Sequence, residues 1–318
     1  MNDLDDLIKE RLKSAGNILI VSHIRPDGDA IGSLLALGLA LEARGKQVQM
    51  ILSDGLPATF RHLPGSEKIK DACQTPPDLS IVVDCSDLAR VGRGLNACGV
   101  PDIVIDHHYT NGAFGKLNLI EDKAPATASV LMDHLPKWDL PITRDVASNL
   151  LTGLVTDTLG FRTISTTPHC LRQAADLMDL GAELNTLYFQ GLVRRSLNAS
   201  RYWGAGLNQL KDQDGLVWTE LTLEDRKKSG YSGNDDADLI NVVSAIQEGR
   251  VTLILVEQVG GSVKASWRTQ DPGLDVSQVA LFFNGGGHRA AAGADIPGQL
   301  ADVRQRVLEE TAKLLKNS

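Results

Sequence analysis

The sequence predicts an α/β protein, a doubly wound and mainly parallel sheet followed by a second, smaller α/β domain. Three observations carry this expectation. Short apolar runs rich in β-branched residues alternate with helix-length segments through the first 187 residues, the pattern of successive strand–helix units. Three of those runs end in acids or imidazoles. Ile18-Leu19-Ile20-Val21-Ser22 leads to His23, Asp27 and Asp29; Leu79-Ser80-Ile81-Val82-Val83 leads to Asp84; Ile103-Val104-Ile105 leads to Asp106, His107 and His108. In open α/β sheets ligands bind outside the carboxyl ends of the strands. Finally, the pattern changes after about Leu187, and residues 251–258 and 262–268, joined through Val259-Gly260-Gly261, read as a hairpin.

Taken in order, residues 4–12 have helical spacing and predict a short helix on the sheet. After the first strand, Pro26-Asp27-Gly28-Asp29 is turn chemistry with an acid placed to cap a helix over 30–44, which Gly45 closes. A strand follows over 48–52, then a loop around Leu63-Pro64-Gly65-Ser66 leading to a short helix, and Pro76-Pro77 breaks before the Asp84 strand. Ala124-Pro125-Ala126-Thr127 precedes an expected helix through about 135, and helices are expected over 145–157 with Val146, Leu150, Leu151 and Leu154 inward, and over 168–180, stopped at Gly181. The spacing places a first domain at 1–187, a helical linker at 188–205 and a second domain at 206–318. In the second, a strand over 215–221, a helix over 236–247, the hairpin, a helix over 276–283 and a closing helix over 301–315 are expected.

At 318 residues the chain exceeds a typical domain. Forty acids against 32 lysines and arginines leave a net charge of −8. That argues against long duplex nucleic acid as partner, since sequence-independent binding needs a basic footprint. A small anionic ligand remains open, because bound cations invert the local sign. Cys73, Cys85, Cys98 and Cys170 show neither CxxC spacing nor a disulfide framework, which predicts a reducing compartment. Met1-Asn2-Asp3-Leu4-Asp5-Asp6 is acidic and lacks a signal-peptide core, and the apolar run over 31–41 is too short to span a bilayer. A cytoplasmic protein without a membrane partner is expected.

His23, Asp27, Asp29, Asp84, His107 and Asp157 form a mixed oxygen and nitrogen donor set. Taken singly, Asp29 reads as a helix cap and the paired histidines as surface residues; three strand ends acting together outweigh that. Four aspartates gathered without cations would repel, and some would take up protons. Two divalent cations balance four carboxylates, and in two-metal hydrolases the ions sit ~3.5–4 Å apart, close enough for one carboxylate to bridge them. Asp84, alone at the end of the middle strand, is the bridge candidate. Imidazole and carboxylate without thiolate favour manganese, magnesium or cobalt over structural zinc.

These residues resemble the DHH phosphoesterase family. The match lies in Ser22-His23-Ile24-Arg25-Pro26-Asp27-Gly28-Asp29-Ala30, in Asp84, in Asp106-His107-His108 and in Gly153-Leu154-Val155-Thr156-Asp157-Thr158. Gly285-Gly286-Gly287-His288-Arg289-Ala290-Ala291-Ala292-Gly293 resembles the signature of the accessory DHHA1 domain, with Asn284 standing where another glycine is usual. The two-domain layout is similar to the nanoRNase/pAp phosphatase branch rather than the longer RecJ exonucleases. The resemblance implies that His23, Asp27 and Asp84 hold one cation and Asp29, Asp84, His107 and Asp157 the other, with Mn2+ preferred over Mg2+ or Co2+. His108 would face the scissile phosphate and Asp106 would orient a histidine. The backbone of Gly285, Gly286 and Gly287 would approach a phosphate, while His288 and Arg268 grip the substrate's terminal phosphate or base. The implied activity is hydrolysis of very short oligoribonucleotides to mononucleotides, and of 3′-phosphoadenosine 5′-phosphate (pAp) to AMP and phosphate. The second domain would restrict substrate length, and the chain could form a homodimer. The rival readings are a phosphodiesterase for cyclic or linear dinucleotides, a pyrophosphatase, and a regulator that binds a nucleotide without turnover.

Overall fold

A computed structural model describes residues 3–96 and 98–316, and the chain divides into two compact units, Met1–Arg194 and Arg195–Ser318. The first unit begins with α1 (Leu4–Ser14), β1 (Asn17–Val21), α2 (Gly28–Glu42) and β2 (Gln47–Ile51). It continues with β3 (Leu79–Val83), β4 (Ile103–Asp106), β5 (Leu117–Ile120), α3 (Thr127–His134), α4 (Arg144–Asp157), α5 (Pro168–Asp179) and α6 (Leu184–Tyr188). The five strands are all parallel in the order β2-β1-β3-β4-β5. Every residue of β3 and β4 is buried, as expected for strands covered on both faces. Ile18, Ile20, Ile81, Val83, Ile103 and Ile105 pack on one face with the helices. Leu19, Val21, Val82 and Val104 pack on the other with Val91 and Leu95. That second face is covered by short helical turns over Leu88–Leu95 rather than by a long helix. The chain leaves β1 for β2 on one side and returns to β3 on the other. The β1/β3 boundary is therefore the topological switch point, where such sheets bind ligands.

Helices α2 and α4 lie against each other because their facing residues are small. A methyl on Gly32 would stand 2.5 Å from the Asn149 carbonyl oxygen and 3.0 Å from the Gly153 nitrogen, both backbone atoms that cannot swing aside. Gly32→Val is therefore expected to force the helices apart at a cost of about 1–3 kcal/mol. A lowered thermal midpoint checks this; an unchanged one would show that the pair has slack.

The second unit holds α7 (Leu197–Asn208), β6 (Lys211–Gln213), β7 (Leu216–Leu221), α8 (Leu223–Ser229), α9 (Leu239–Val243), β8 (Val251–Gln258) and β9 (Ser262–Thr269). Then come α10 (Val276–Phe282), β10 (Gly286–His288), β11 (Ala291–Pro297) and α11 (Leu300–Lys316). Its sheet runs β10-β11-β9-β8-β7-β6, with only β7 and β8 parallel. Two expected helices differ. The stretch 188–205 is not one helix. It breaks at Arg194, whose backbone is extended, and restarts at Ser196, whose side chain caps α7 by accepting from the Ala199 N–H (3.1 Å). Ala199 and Tyr202 are buried in the second unit's core. The helix expected over 236–247 shrinks to Leu239–Val243. Ala237 and Asp238 take left-handed φ values of 54° and 64°, and Asp236 folds back to accept from the Ile240 N–H (2.8 Å). Among the described residues no helix is long and apolar enough to cross a membrane.

Candidate metal centre

The adjacent strands β1, β3 and β4 deliver His23, Asp84, and Asp106 with His107 to one edge of the sheet. Asp84 turns there with a left-handed φ of 53° while its N–H still donates to the Ile105 carbonyl of β4 (2.9 Å). A non-glycine residue in that region is uncommon, and such strain clusters at functional sites. Asp84 Oδ2 lies 3.6 Å from His23 Nε2, and Oδ1 lies 3.7 Å from His107 Nε2. One carboxylate thus faces two imidazoles with its two different oxygens.

Around His23 the other donor is Asp27, with Oδ2 at 3.8 Å from Nε2. Around His107 the others are Asp157 Oδ2 at 3.5 Å and Asp29 Oδ2 at 4.0 Å. Separations of 3.5–4.0 Å are too long for hydrogen bonds. Donors held roughly 2.0–2.2 Å from a shared cation stand about this far apart. The ring tautomers agree. The Nδ1–H of His23 donates to the Ile24 carbonyl (2.8 Å) and that of His107 to the Ala124 carbonyl (3.2 Å). This turns each Nε2 lone pair towards the carboxylates, the arrangement of a metal-ligating histidine with its second nitrogen on a carbonyl. The donor set therefore fits two divalent cations, with Asp84 common to the His23–Asp27 group and the Asp29–His107 group.

The charge balance also calls for cations. Asp29 and Asp84 are each 1% exposed. Burial, and then the charges of Asp84 and Asp157, push the Asp29 carboxyl well above the usual range. Burial pushes Asp84 upward as well, but the facing His23 ring and the charges of His108 and His107 outweigh it and hold its pKa low. Burial opposes protonation of His23, yet the Asp84 and Asp27 carboxylates raise its pKa.

His108 is arranged differently. Its Nδ1–H donates to Asp106 Oδ1 (2.7 Å), so Asp106 orients the His108 ring. Asp106 is wholly buried, and its Oδ2 accepts from Asn111 Nδ2 (2.6 Å). Burial lowers the His108 pKa, but the Asp106 hydrogen bond and the charges of Asp84, Asp106 and Asp157 raise it to about 9.

Asp27 and Asp29 each cap a helix, but not the same one. Asp27 caps α2 by accepting from the N–H groups of Asp29 (3.1 Å) and Ala30 (3.0 Å). Asp29 caps a different helix, accepting from Thr127 N–H (2.6 Å) and Ala128 N–H (3.0 Å) at the start of α3, whose own N-cap Ala126 offers no side-chain acceptor. Two supporting residues went unmarked in the sequence. Thr127 Oγ1 donates to Asp84 Oδ1 (2.9 Å), and Asn111 ties Asp106 to the Cys85 carbonyl (3.0 Å). Nothing in their local sequence signals either contact, since each partner is more than four residues away.

In the second unit, Ala291 of β11 pairs with Arg268 of β9 on one side and His288 of β10 on the other. Directly paired residues point to one face, so Arg268 and His288 flank the small Ala291. Gly286, Gly293 and Ser266 form the next row on that face. A side chain on Gly285 or Gly287 would run into the β11 backbone, whereas one on Gly286 would meet nothing. Two of the three glycines are thus required by packing, and Gly286 alone opens space beside His288. Asn284 takes a left-handed φ of 57°, a region asparagine tolerates better than most side chains.

The family model described as DHH family, N-terminal domain, matches residues 17–154, which span every strand that feeds the centre, and the DHHA1 domain model matches residues 222–317. A bifunctional oligoribonuclease and PAP phosphatase, NrnA, of Thermus thermophilus is 35% identical over 311 residues, covering 95% of this chain and 92% of that protein. The chain belongs to the DHH family. Among its DHH relatives, the Bacillus subtilis bifunctional oligoribonuclease and PAP phosphatase is 24% identical over 94% of this chain and 95% of that protein. An exopolyphosphatase-related protein from Bacteroides fragilis shares the fold, with a TM-score of 0.83, 24% identity, and coverage of 99% of this chain and 96% of that one. The Mn2+ complex of Thermus thermophilus RecJ shares it more distantly, with a TM-score of 0.54 and 16% identity over 98% of this chain and 54% of that one.

Proposed function

We propose that this DHH protein is a two-metal phosphoesterase that hydrolyses short oligoribonucleotides to mononucleotides, and pAp to AMP and phosphate. The observation that supports it most is Asp84, whose two oxygens face the His23 and His107 groups separately. The substrate reading draws on the end-to-end similarity to the Thermus thermophilus protein of that activity. His23, Asp27 and Asp84 would hold one ion and Asp29, Asp84, His107 and Asp157 the other, with Mn2+ favoured by the mixed imidazole and carboxylate donors. Bound ions supply a water acidic enough to attack phosphorus near neutral pH and neutralise phosphoryl charge. The chain's own residues do the remainder. Asp106 fixes His108 so that Nε2 delivers its proton to the leaving oxygen as the P–O bond breaks. Thr127 and the α3 N-terminus hold Asp84 and Asp29 in place. Arg268 and His288 would bind a phosphate or base of the substrate.

A product screen with Mn2+ across pAp, RNA of two to twenty nucleotides, cyclic di-AMP and pyrophosphate tests this. RNA of two to five nucleotides and pAp are expected to turn over fastest; preference for the longest RNA would move the protein towards a RecJ-like role. Within the same screen Arg268→Ala separates binding from chemistry. Hydrogen bonds to charged groups contribute ~1.5–3 kcal/mol, so kcat/KM for short RNA should fall by about ten- to a hundredfold. Cleavage of bis-p-nitrophenyl phosphate, which has no remote phosphate, should change little. Equal losses on both substrates would assign Arg268 to the fold or to the metal centre.

A further inference from the structure

The segment after Asp84 is clamped to the metal centre, and it carries the cation Arg90. Asp87 caps it by accepting from the Arg90 N–H (3.1 Å). Val91 and Leu95 bury against Leu19, Val21, Val82 and Val104 of the sheet. The Arg90 carbonyl accepts the N–H of Ile24, the residue after His23, at 2.7 Å. Ser53 Oγ donates to the Val91 carbonyl (3.3 Å). Gly92 has φ 65°, and a methyl there would stand 2.7 Å from Ile24 Cγ2. A side chain at 92 would therefore lever the segment away from the His23 loop.

Arg90 is held half-buried by this clamp. Among the described residues none engages its guanidinium in a hydrogen bond or ion pair; Asp87, the nearest acid in sequence, spends its carboxylate on the Arg90 backbone instead. The hydrogen bond between the Arg90 carbonyl and the Ile24 N–H seats Arg90 beside the His23 loop. A guanidinium offers five N–H donors in a fork that matches two oxygens of one phosphoryl group. Partial burial limits the solvent screening of its charge. In phosphoryl transfer the charge gathers on the nonbridging oxygens, and a fixed cation aimed at them stabilises the transition state.

The geometry points to Arg90 as a further catalytic residue, whose guanidinium receives a nonbridging oxygen of the scissile phosphoryl group beside the His23 donor group. This rests on the phosphoesterase reading. It differs from the role of Arg268, since Arg90 would act on every substrate that is cleaved at all.

The test uses the full chain loaded with Mn2+ and the variants Arg90→Gln and Arg90→Lys. Loss of one preorganised donor typically costs about 10²–10³-fold in kcat. That loss is expected on bis-p-nitrophenyl phosphate and on short RNA alike, with partial recovery in Arg90→Lys. A readout independent of turnover is orthophosphate binding followed by calorimetry, which should weaken in Arg90→Gln while manganese content and thermal midpoint stay at the wild-type level. Unchanged turnover and unchanged phosphate binding would overturn the assignment. So would a loss confined to RNA, which would move Arg90 to a flanking phosphate, or a loss of bound manganese, which would make it a support of the centre. Should the wild-type chain with Mn2+ neither cleave these substrates nor bind orthophosphate, the phosphoesterase reading itself falls and takes this role with it.

Discussion

Asp84→Asn is expected to abolish turnover and to strip metal from the centre. The carboxylate faces His23 with Oδ2 and His107 with Oδ1, and Oδ1 also accepts from Thr127 Oγ1. An asparagine keeps the volume but has one oxygen and no charge. Its oxygen satisfies Thr127, which turns the NH2 group towards the His23 side, where a cation needs a donor of electrons. Bound manganese should fall from two ions per chain towards one or none. The affinity loss should exceed the roughly 10- to 100-fold that follows removal of a mere supporting partner. Because a ligand bound only to the folded state stabilises it, the manganese-dependent rise in thermal midpoint should shrink with it. Elemental analysis, a thermal scan and turnover of bis-p-nitrophenyl phosphate check these together. Near-normal turnover with two ions retained would remove Asp84 from the centre.

His108→Ala should leave both ions in place and lower kcat by ~10²–10⁴-fold, the range for general acid–base assistance. The expectation follows from geometry, since Nδ1 is committed to Asp106 and the ring is half-buried at the edge of the cluster. It also carries a pH signature. Asp106, as hydrogen-bond acceptor and as charge, raises the His108 pKa, which stands at about 9 without bound cations. Bound cations oppose the protonated form and bring the value below that. The acid is lost as pH rises through it, so kcat has an alkaline limb that should vanish in His108→Ala. Asp106→Asn removes a charge that favours the imidazolium, so the limb should move to lower pH. An alkaline limb that survives in His108→Ala would belong to another group, and metal lost with the rate would make His108 a ligand.

The sheet and most of the centre were legible in the sequence because both depend on local signals. A β-branched run buried on both faces reads as a strand wherever it sits, and an acid or imidazole just past it lands at the carboxyl edge whatever the rest of the chain does. That is why His23, Asp84 and His107 could be placed together from three runs far apart in sequence. Helix limits were less legible where turn chemistry competed with helix spacing. Asp235, Asp236 and Asp238 look like a helix's acidic first turn, yet Tyr231 donates to Asp235 and Asp236 folds onto Ile240 N–H, so the turn wins. Arg194 and Ser196 hid a break inside what read as one helix.

The residue types, their order along the chain and their delivery to one sheet edge were determined by the sequence alone, since backbone geometry and burial fix them locally. Which oxygen faces which ring was decided only by tertiary structure. The strand order makes β1, β3 and β4 neighbours, and the glycine contact of α2 with α4 brings Asp157 within 3.5 Å of His107. The capping of α3 by Asp29 and the hydrogen bond from Thr127 to Asp84 join residues 98 and 43 positions apart. No local pattern encodes such contacts, because their energy arises only when distant segments are already packed.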